Sequence, residues 1–142
     1  MNMNEPVIVN KEQALTVTKE NGTEVAYFLF DKFEVHTNVI PAQCIQDWHA
    51  HQIIEEIVVL TKGTLLLEWL AEELQSKKVS TGEIIRMNNS IHRISNVDQE
   101  PAECTIFRFV SPKSSQAEAI KEDKRVYSEE EITAILTNKK TK

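Results

Sequence analysis

His49 and His51, one residue apart in Trp48-His49-Ala50-His51, are the residues of this chain best spaced to act together. In extended backbone alternate side chains share a face, so the two imidazoles point the same way with roughly 7 Å between their Cα atoms. That spacing lets both converge on one metal ion. Further ligands must come from other strands, and His92 is the histidine in a suitable register. A carboxylate pair, Glu55-Glu56, follows His51. Only one of the two can face the histidines, and a slip of one residue would exchange them. His36, alone in a strand-like stretch, reads as a satisfied core or surface histidine rather than a ligand.

The elements that must position these groups are strands. Ala14 to Lys19 and Glu24 to Phe30 flank Glu20-Asn21-Gly22-Thr23, whose Asn-Gly pair is a strong hairpin signal. Phe33 to Ile40 is strand-like and Pro41 marks a break or an edge. Ile57 to Leu60, Thr64 to Leu70, Val79, Glu83 to Met87, His92 to Val97 and Ala102 to Val110 continue the series, with Ala71 to Lys78 among the separators. Short strands at regular intervals predict an antiparallel sandwich or barrel. The pattern then changes. Residues 111 to 124 are polar without alternation, and Ser128 with Glu131 forms a capping box opening a helix over about 128–137. Ile132, Ile135 and Leu136 fall on one side of that helix. The organisation predicted is an N-terminal arm over 1–12, a β domain over 13–112 and a C-terminal extension over 113–142, ending in a disordered basic tail from Asn138.

With 142 residues the chain makes one domain. Sixteen basic against 22 acidic residues give a net charge of -6, which argues against nucleic acid or an anionic membrane as the partner. No stretch approaches the ~20 apolar residues of a membrane span and the first residues are unlike a signal peptide, so a cytoplasmic protein is expected. Cys44 and Cys104 lack a C-x-x-C pattern and read as reduced, partly buried thiols. Ile57 and Val59 are as apolar as Val58 and Leu60, and Leu65-Leu66-Leu67 repeats the pattern, so the outer sheet face needs cover, from the terminal segments of the same chain or from a second subunit.

Two segments together resemble the paired motifs of the cupin superfamily. His49, His51 and Glu56, with Gly63 closing the run, match the first motif; Gly82, His92 and Asn96 match most of the second. The resemblance implies an all-β, antiparallel double-stranded β-helix, a jelly-roll barrel, here with a short C-terminal α-helix. It also implies that His49, His51, Glu56 and His92 ligate a metal, and that the barrel pairs as a homodimer through one sheet. The chain departs from the pattern in two places. Gln43 stands where a glycine usually precedes the first histidine, and Asn88-Asn89-Ser90 replaces a Pro-x-Gly turn in a second motif one residue short. Asn tolerates the turn conformations glycine would supply.

Neutral imidazoles with one carboxylate suit a divalent transition metal such as iron, manganese, nickel, cobalt or zinc, and leave coordination positions open. The resemblance implies an enzyme of dioxygenase, decarboxylase or isomerase type acting on a small oxygen-rich or carboxylate-containing molecule, with Glu56 able to act as a base. The alternative is a module that binds or senses such a molecule without turnover. Candidate pocket residues are Trp48, Arg108 and Asn96. Arg108 either faces inward and clamps a carboxylate or makes an outward salt bridge. Trp48 either stacks on substrate or packs against a sheet, and Asn96 either bonds a ligand or stabilises a turn.

Overall fold

The computed structural model describes residues 4–110 and 123–140. After a 3-10 turn at Lys11–Gln13 come β1 (Leu15–Thr18), β2 (Glu24–Leu29), β3 (Phe33–Ile40), β4 (Trp48–His51), β5 (Glu55–Lys62), β6 (Thr64–Leu70), β7 (Leu74–Ser80), β8 (Ile84–Arg86), β9 (His92–Ser95), β10 (Ala102–Phe109), β11 (Lys124–Tyr127) and the helix α1 (Glu129–Lys140). The strands form a six-stranded sheet in the order β1-β2-β3-β10-β5-β8 and a five-stranded sheet in the order β11-β4-β9-β6-β7. All pairings are antiparallel. This is the expected jelly roll with a short C-terminal helix.

Turn chemistry sets the register. Gly22 takes φ 93° in the β1–β2 hairpin and Gly63 takes φ 80° between β5 and β6. A Cβ on Gly63 would also meet Ala102 Cα at 3.3 Å, so this position needs glycine for space as well as for conformation. Asn88 and Asn89 both adopt positive φ, 51° and 57°, making the tight turn between β8 and β9 that the sequence required of them. Gln43 also takes a left-handed φ of 56°. Its side-chain amide donates to the carbonyls of Val97 (2.8 Å) and Asp98 (3.0 Å), which offsets the strain that a glycine there would avoid.

Three elements differ from expectation. The stretch read as a separator before Val79 is β7, an edge strand paired only with β6. Its side chains are exposed except Val79, so it lacks the alternation that marks a half-buried strand, and Lys77 and Lys78 protect the open edge. The C-terminal extension supplies β11, which pairs with β4 from Lys124↔His51 to Tyr127↔Trp48. The helix keeps its capping box, with Glu131 N–H donating to Ser128 Oγ and Ser128 N–H to Glu131 Oε1, but runs on to Lys140 through residues expected as a tail. Apart from Asp123 and Lys124, the polar stretch over 111–124 lies outside the described residues, as do residues 1–3 of the N-terminal arm and 141–142 of the tail. Among the described residues no helix is long and apolar enough to cross a membrane.

The interior has two ends. At one, Ile40, Val58, Leu60, Leu65, Ala102 and Cys104 belong to a single apolar core, with both cysteines buried and unpaired as expected. At the other end the same strands turn polar. On β5 the inward series Leu60, Val58 ends in Glu56, and on β10 the inward series Cys104, Ile106 ends in Arg108, which is paired with Glu56.

Candidate metal centre

Alternation along β4 turns His49 and His51 inward, and β9 brings His92 directly opposite His49 as its cross-strand partner. The rings of His49 and His92 lie 4.4 Å apart and those of His49 and His51 5.3 Å apart. Glu56 reaches them from the other sheet. Its carboxylate oxygens lie 3.1 Å from His51 Nε2, 3.5 Å from His92 Nε2 and 4.0 Å from His49 Nε2. One ligand atom from each of His49, His51 and Glu56 falls within 4.8 Å of the others. All four side chains are buried. The choice between the adjacent carboxylates is resolved by register: Glu55 points outward to Arg86, at 2.9 and 3.1 Å.

The surroundings prepare this cluster for a cation. His92 Nδ1 is 3.0 Å from the Ser90 carbonyl and His49 Nδ1 is 3.3 Å from the Asp47 carbonyl. A carbonyl can only accept, so both Nδ1 atoms carry the proton and both Nε2 lone pairs are bare toward Glu56. Neither His51 Nε2 nor His92 Nε2 makes a hydrogen bond despite burial. Bare lone pairs and a carboxylate packed together repel unless a positive ion lies between them, so the donor set fits a divalent metal. Burial pushes His49 well below the usual imidazole range, which keeps its ring neutral. Burial would raise the Glu56 carboxyl, but the close approach of His51 and His92 and the charge of Arg108 outweigh it and hold Glu56 well below the ordinary carboxylate range.

Side chains from two other segments hold the loop between β4 and β5 in place. Asn89 Nδ2 donates to the carbonyls of His51 (2.8 Å) and Ile54 (3.1 Å), bracing the segment between β4 and β5 from the β8–β9 turn. Asp123 Oδ2 accepts from the backbone N–H groups of Ile53 (2.8 Å) and Ile54 (3.0 Å) in the same segment.

The cluster opens into a cavity of about 350 Å³ whose wall includes His49, Glu56, Arg108, His36, Asn38 and Lys19. Arg108 faces inward, so the outward salt bridge is not formed. Its Nε donates to Glu56 Oε2 at 2.7 Å and its Nη1 to Glu34 Oε1 at 3.4 Å. Trp48 is buried but does not line this cavity; the Arg93 guanidinium lies 4.7 Å from its ring centre. Being next to His49 on a strand, it must face the opposite side of the sheet. Asn96 stabilises a turn instead of reaching a ligand: its Nδ2 donates to Ile40 and Glu100 carbonyls and its Oδ1 accepts from Asp98 N–H.

The sequence reading did not single out Glu34 and Asn38 and took His36 for a satisfied core or surface histidine; all three face inward from β3, Glu34, His36 and Asn38 being 0%, 3% and 5% exposed. His36 stacks on Tyr27 with ring centres 4.9 Å apart and lines the cavity. The signal available was the alternation itself, polar at 34, 36 and 38 and mostly apolar at 33, 35, 37 and 39. An alternating strand is ordinarily taken with its apolar side inward; here it is reversed.

No family model and no curated protein matches the sequence. Among solved structures the chain is similar to oxalate oxidase in complex with glycolate (TM-score 0.59, 21% identity over 72% of this chain and 59% of that one). It is also similar to the capsular polysaccharide assembling protein CapF from Staphylococcus aureus (TM-score 0.63, 15% identity, 79% and 33%) and to an oxalate decarboxylase from Bacillus subtilis (TM-score 0.62, 14% identity, 78% and 32%). The chain thus spans less than two thirds of the length of each. Likeness at these identities is likeness of fold: the chain shares the jelly-roll fold of these proteins.

Proposed function

We propose that the protein is a metal-dependent enzyme acting on a small, oxygen-rich or carboxylate-containing molecule, with His49, His51, Glu56 and His92 as ligands of one divalent transition metal. The observation that carries this reading is the convergence of three buried imidazoles and one carboxylate at the wall of an open cavity. A closed structural site would give no access to a substrate. A divalent ion held there would supply Lewis acidity toward a molecule that chelates it through two oxygens. Among solved structures of similar fold, one oxalate oxidase is in complex with the substrate analogue glycolate, and CapF is with the inhibitor 3-isopropenyl-tropolone. Both compounds present adjacent oxygens. In this chain the Arg108 guanidinium bridges Glu56 and Glu34, one hydrogen bond to each, and Glu56 stays ionised and oriented.

A second reading has an observation in its favour. Glu56 is held ionised by its neighbours, which makes it a weak base, and a site without a competent base suits ligand capture without turnover. Protein loaded separately with iron, manganese, nickel or zinc and incubated with 2-hydroxy and 2-oxo acids separates the two. Product that forms in the parent and not in His92→Ala supports the enzyme; stoichiometric binding without product supports the sensing module.

The reading includes a homodimer. The outer face of the six-stranded sheet carries Phe33, Ile84 and Phe109, 39%, 66% and 38% exposed, beside the half-buried Ile57, Val59 and Phe107. An apolar face of this kind is better covered than wet. Sedimentation at micromolar concentration is expected to give a dimer that Ile84→Lys dissociates.

A further inference from the structure

His36 is locked in place yet incompletely bonded. Tyr27 stacks on one face of its ring and Asn38 Nδ2 lies 3.2 Å from its Nδ1. With Nδ1 accepting from the amide, the ring proton sits on Nε2. That atom is buried and has no hydrogen-bond partner; the nearest carboxylate oxygen, Glu34 Oε1, is 3.8 Å away. A buried donor left unpaired costs about 1–3 kcal/mol. Burial and the Arg108 charge push the imidazole down to about 3, so it stays neutral and keeps a single donor. The same residue lines the cavity that Glu56 and His49 line, one row along the sheet from the Glu34–Arg108–Glu56 row.

We infer that His36 is a ligand-binding residue, donating from Nε2 to an oxygen on the far end of the molecule in this cavity, so that the preferred ligand is a chelating acid with a second acidic group rather than a minimal one. This rests on the cavity being a seat for metal chelators. Lys19 and Lys124 also line the cavity and neither forms an ion pair among the described residues, which favours an anionic far end. Glu20 and Asp47 share that rim, so it is the unmet donor of His36, not the rim charge, that singles out the position.

The test compares lactate with malate, which share a 2-hydroxycarboxylate head and differ in a second carboxylate, by calorimetric titration of the Mn2+-loaded protein. Malate is expected to bind about tenfold tighter than lactate. His36→Phe, which keeps the stack on Tyr27 and removes the donor, should abolish that preference by weakening malate binding, and His36→Gln should restore part of it. Equal binding of the two acids to the parent, or a preference unchanged in His36→Phe, overturns the inference while leaving the metal centre intact. Failure to bind Mn2+ at all overturns the metal centre and this inference with it. Should His36→Phe not fold, the parent comparison and His36→Gln still decide the matter, the latter by retaining a preference for malate.

Discussion

Arg108 Nε donates to Glu56 Oε2 at 2.7 Å, so the carboxylate at the heart of the histidine cluster is shared with a guanidinium that also reaches Glu34. The three groups come from adjacent strands in one row across β3, β10 and β5. Glu34 is fully buried with Oε2 unpartnered, and Arg108 is its counter-charge.

Removing that guanidinium should cost more than losing a surface pair. In Arg108→Met, two buried carboxylates lose their cation, and the metal-free protein should be destabilised by about 3 kcal/mol. A divalent ion would then be the remaining positive charge available to Glu56. Urea unfolding with and without Mn2+ should therefore show a larger metal-dependent gain in the variant than in the parent. An equal gain in both would mean that Arg108 and the ion do not compete for Glu56.

Acid should weaken the fold before ordinary carboxylates titrate. His36 has a folded value near 3 and His49 lies well below the ordinary imidazole value of 6.5, so as pH falls below about 6.5 the unfolded chain binds more protons than the native one at these positions, at His36 down to about 3. Stability then falls as pH drops through that window, by at most about 1.4 kcal/mol per pH unit for each such histidine. Glu56, depressed when folded, adds stability above about pH 4.5 that is lost on further acidification. Unfolding free energy of the metal-free protein from pH 7.5 to 3.5 checks the sign, and His36→Phe should flatten the slope.

The strained position at Gln43 makes two opposite demands. Gln43→Gly relieves a positive φ but loses two hydrogen bonds, so its effect should lie within about 1 kcal/mol of zero. Gln43→Ala keeps the strain and loses the bonds, and should cost about 1–2 kcal/mol. Thermal melts of the pair order them; alanine as stable as glycine would mean the side-chain bonds contribute nothing.

Positioning by the β8–β9 turn can be read separately from the ligands. Asn89→Gly preserves φ 57° and deletes the bonds to the His51 and Ile54 carbonyls. Mn2+ affinity should fall about 10-fold, in the range seen when outer-shell partners of a metal site are removed. The fold should persist by circular dichroism.

Where local chemistry decided the structure, the sequence could be read. The one-residue spacing of His49 and His51, the positive-φ asparagines at 88 and 89 and the capping box of Ser128 with Glu131 each follow from a rule acting within a few residues, whereas the choice between Glu55 and Glu56 needed the strand register. What stayed hidden depended on distant partners. Arg108 meets Glu56 and Glu34, 52 and 74 residues away, and its direction is set by which face of β10 closes the barrel. β3 reads as an ordinary amphipathic strand, yet its polar face is turned inward because the barrel interior at that end is a polar cavity. β7 is exposed on every residue but Val79 and pairs with β6 alone, which leaves no hydrophobic period to find.

The central claim is that the histidine–glutamate cluster holds a metal. Its most direct test is elemental analysis of protein purified without an affinity tag or chelator, beside the His49→Ala/His51→Ala double variant, each also loaded with manganese, iron, nickel and zinc and then desalted. Near one equivalent of a first-row divalent metal is expected in the parent and none in the variant, both keeping the β-sheet spectrum. No retained metal in the parent under any loading, or equal metal in the two proteins, would contradict it.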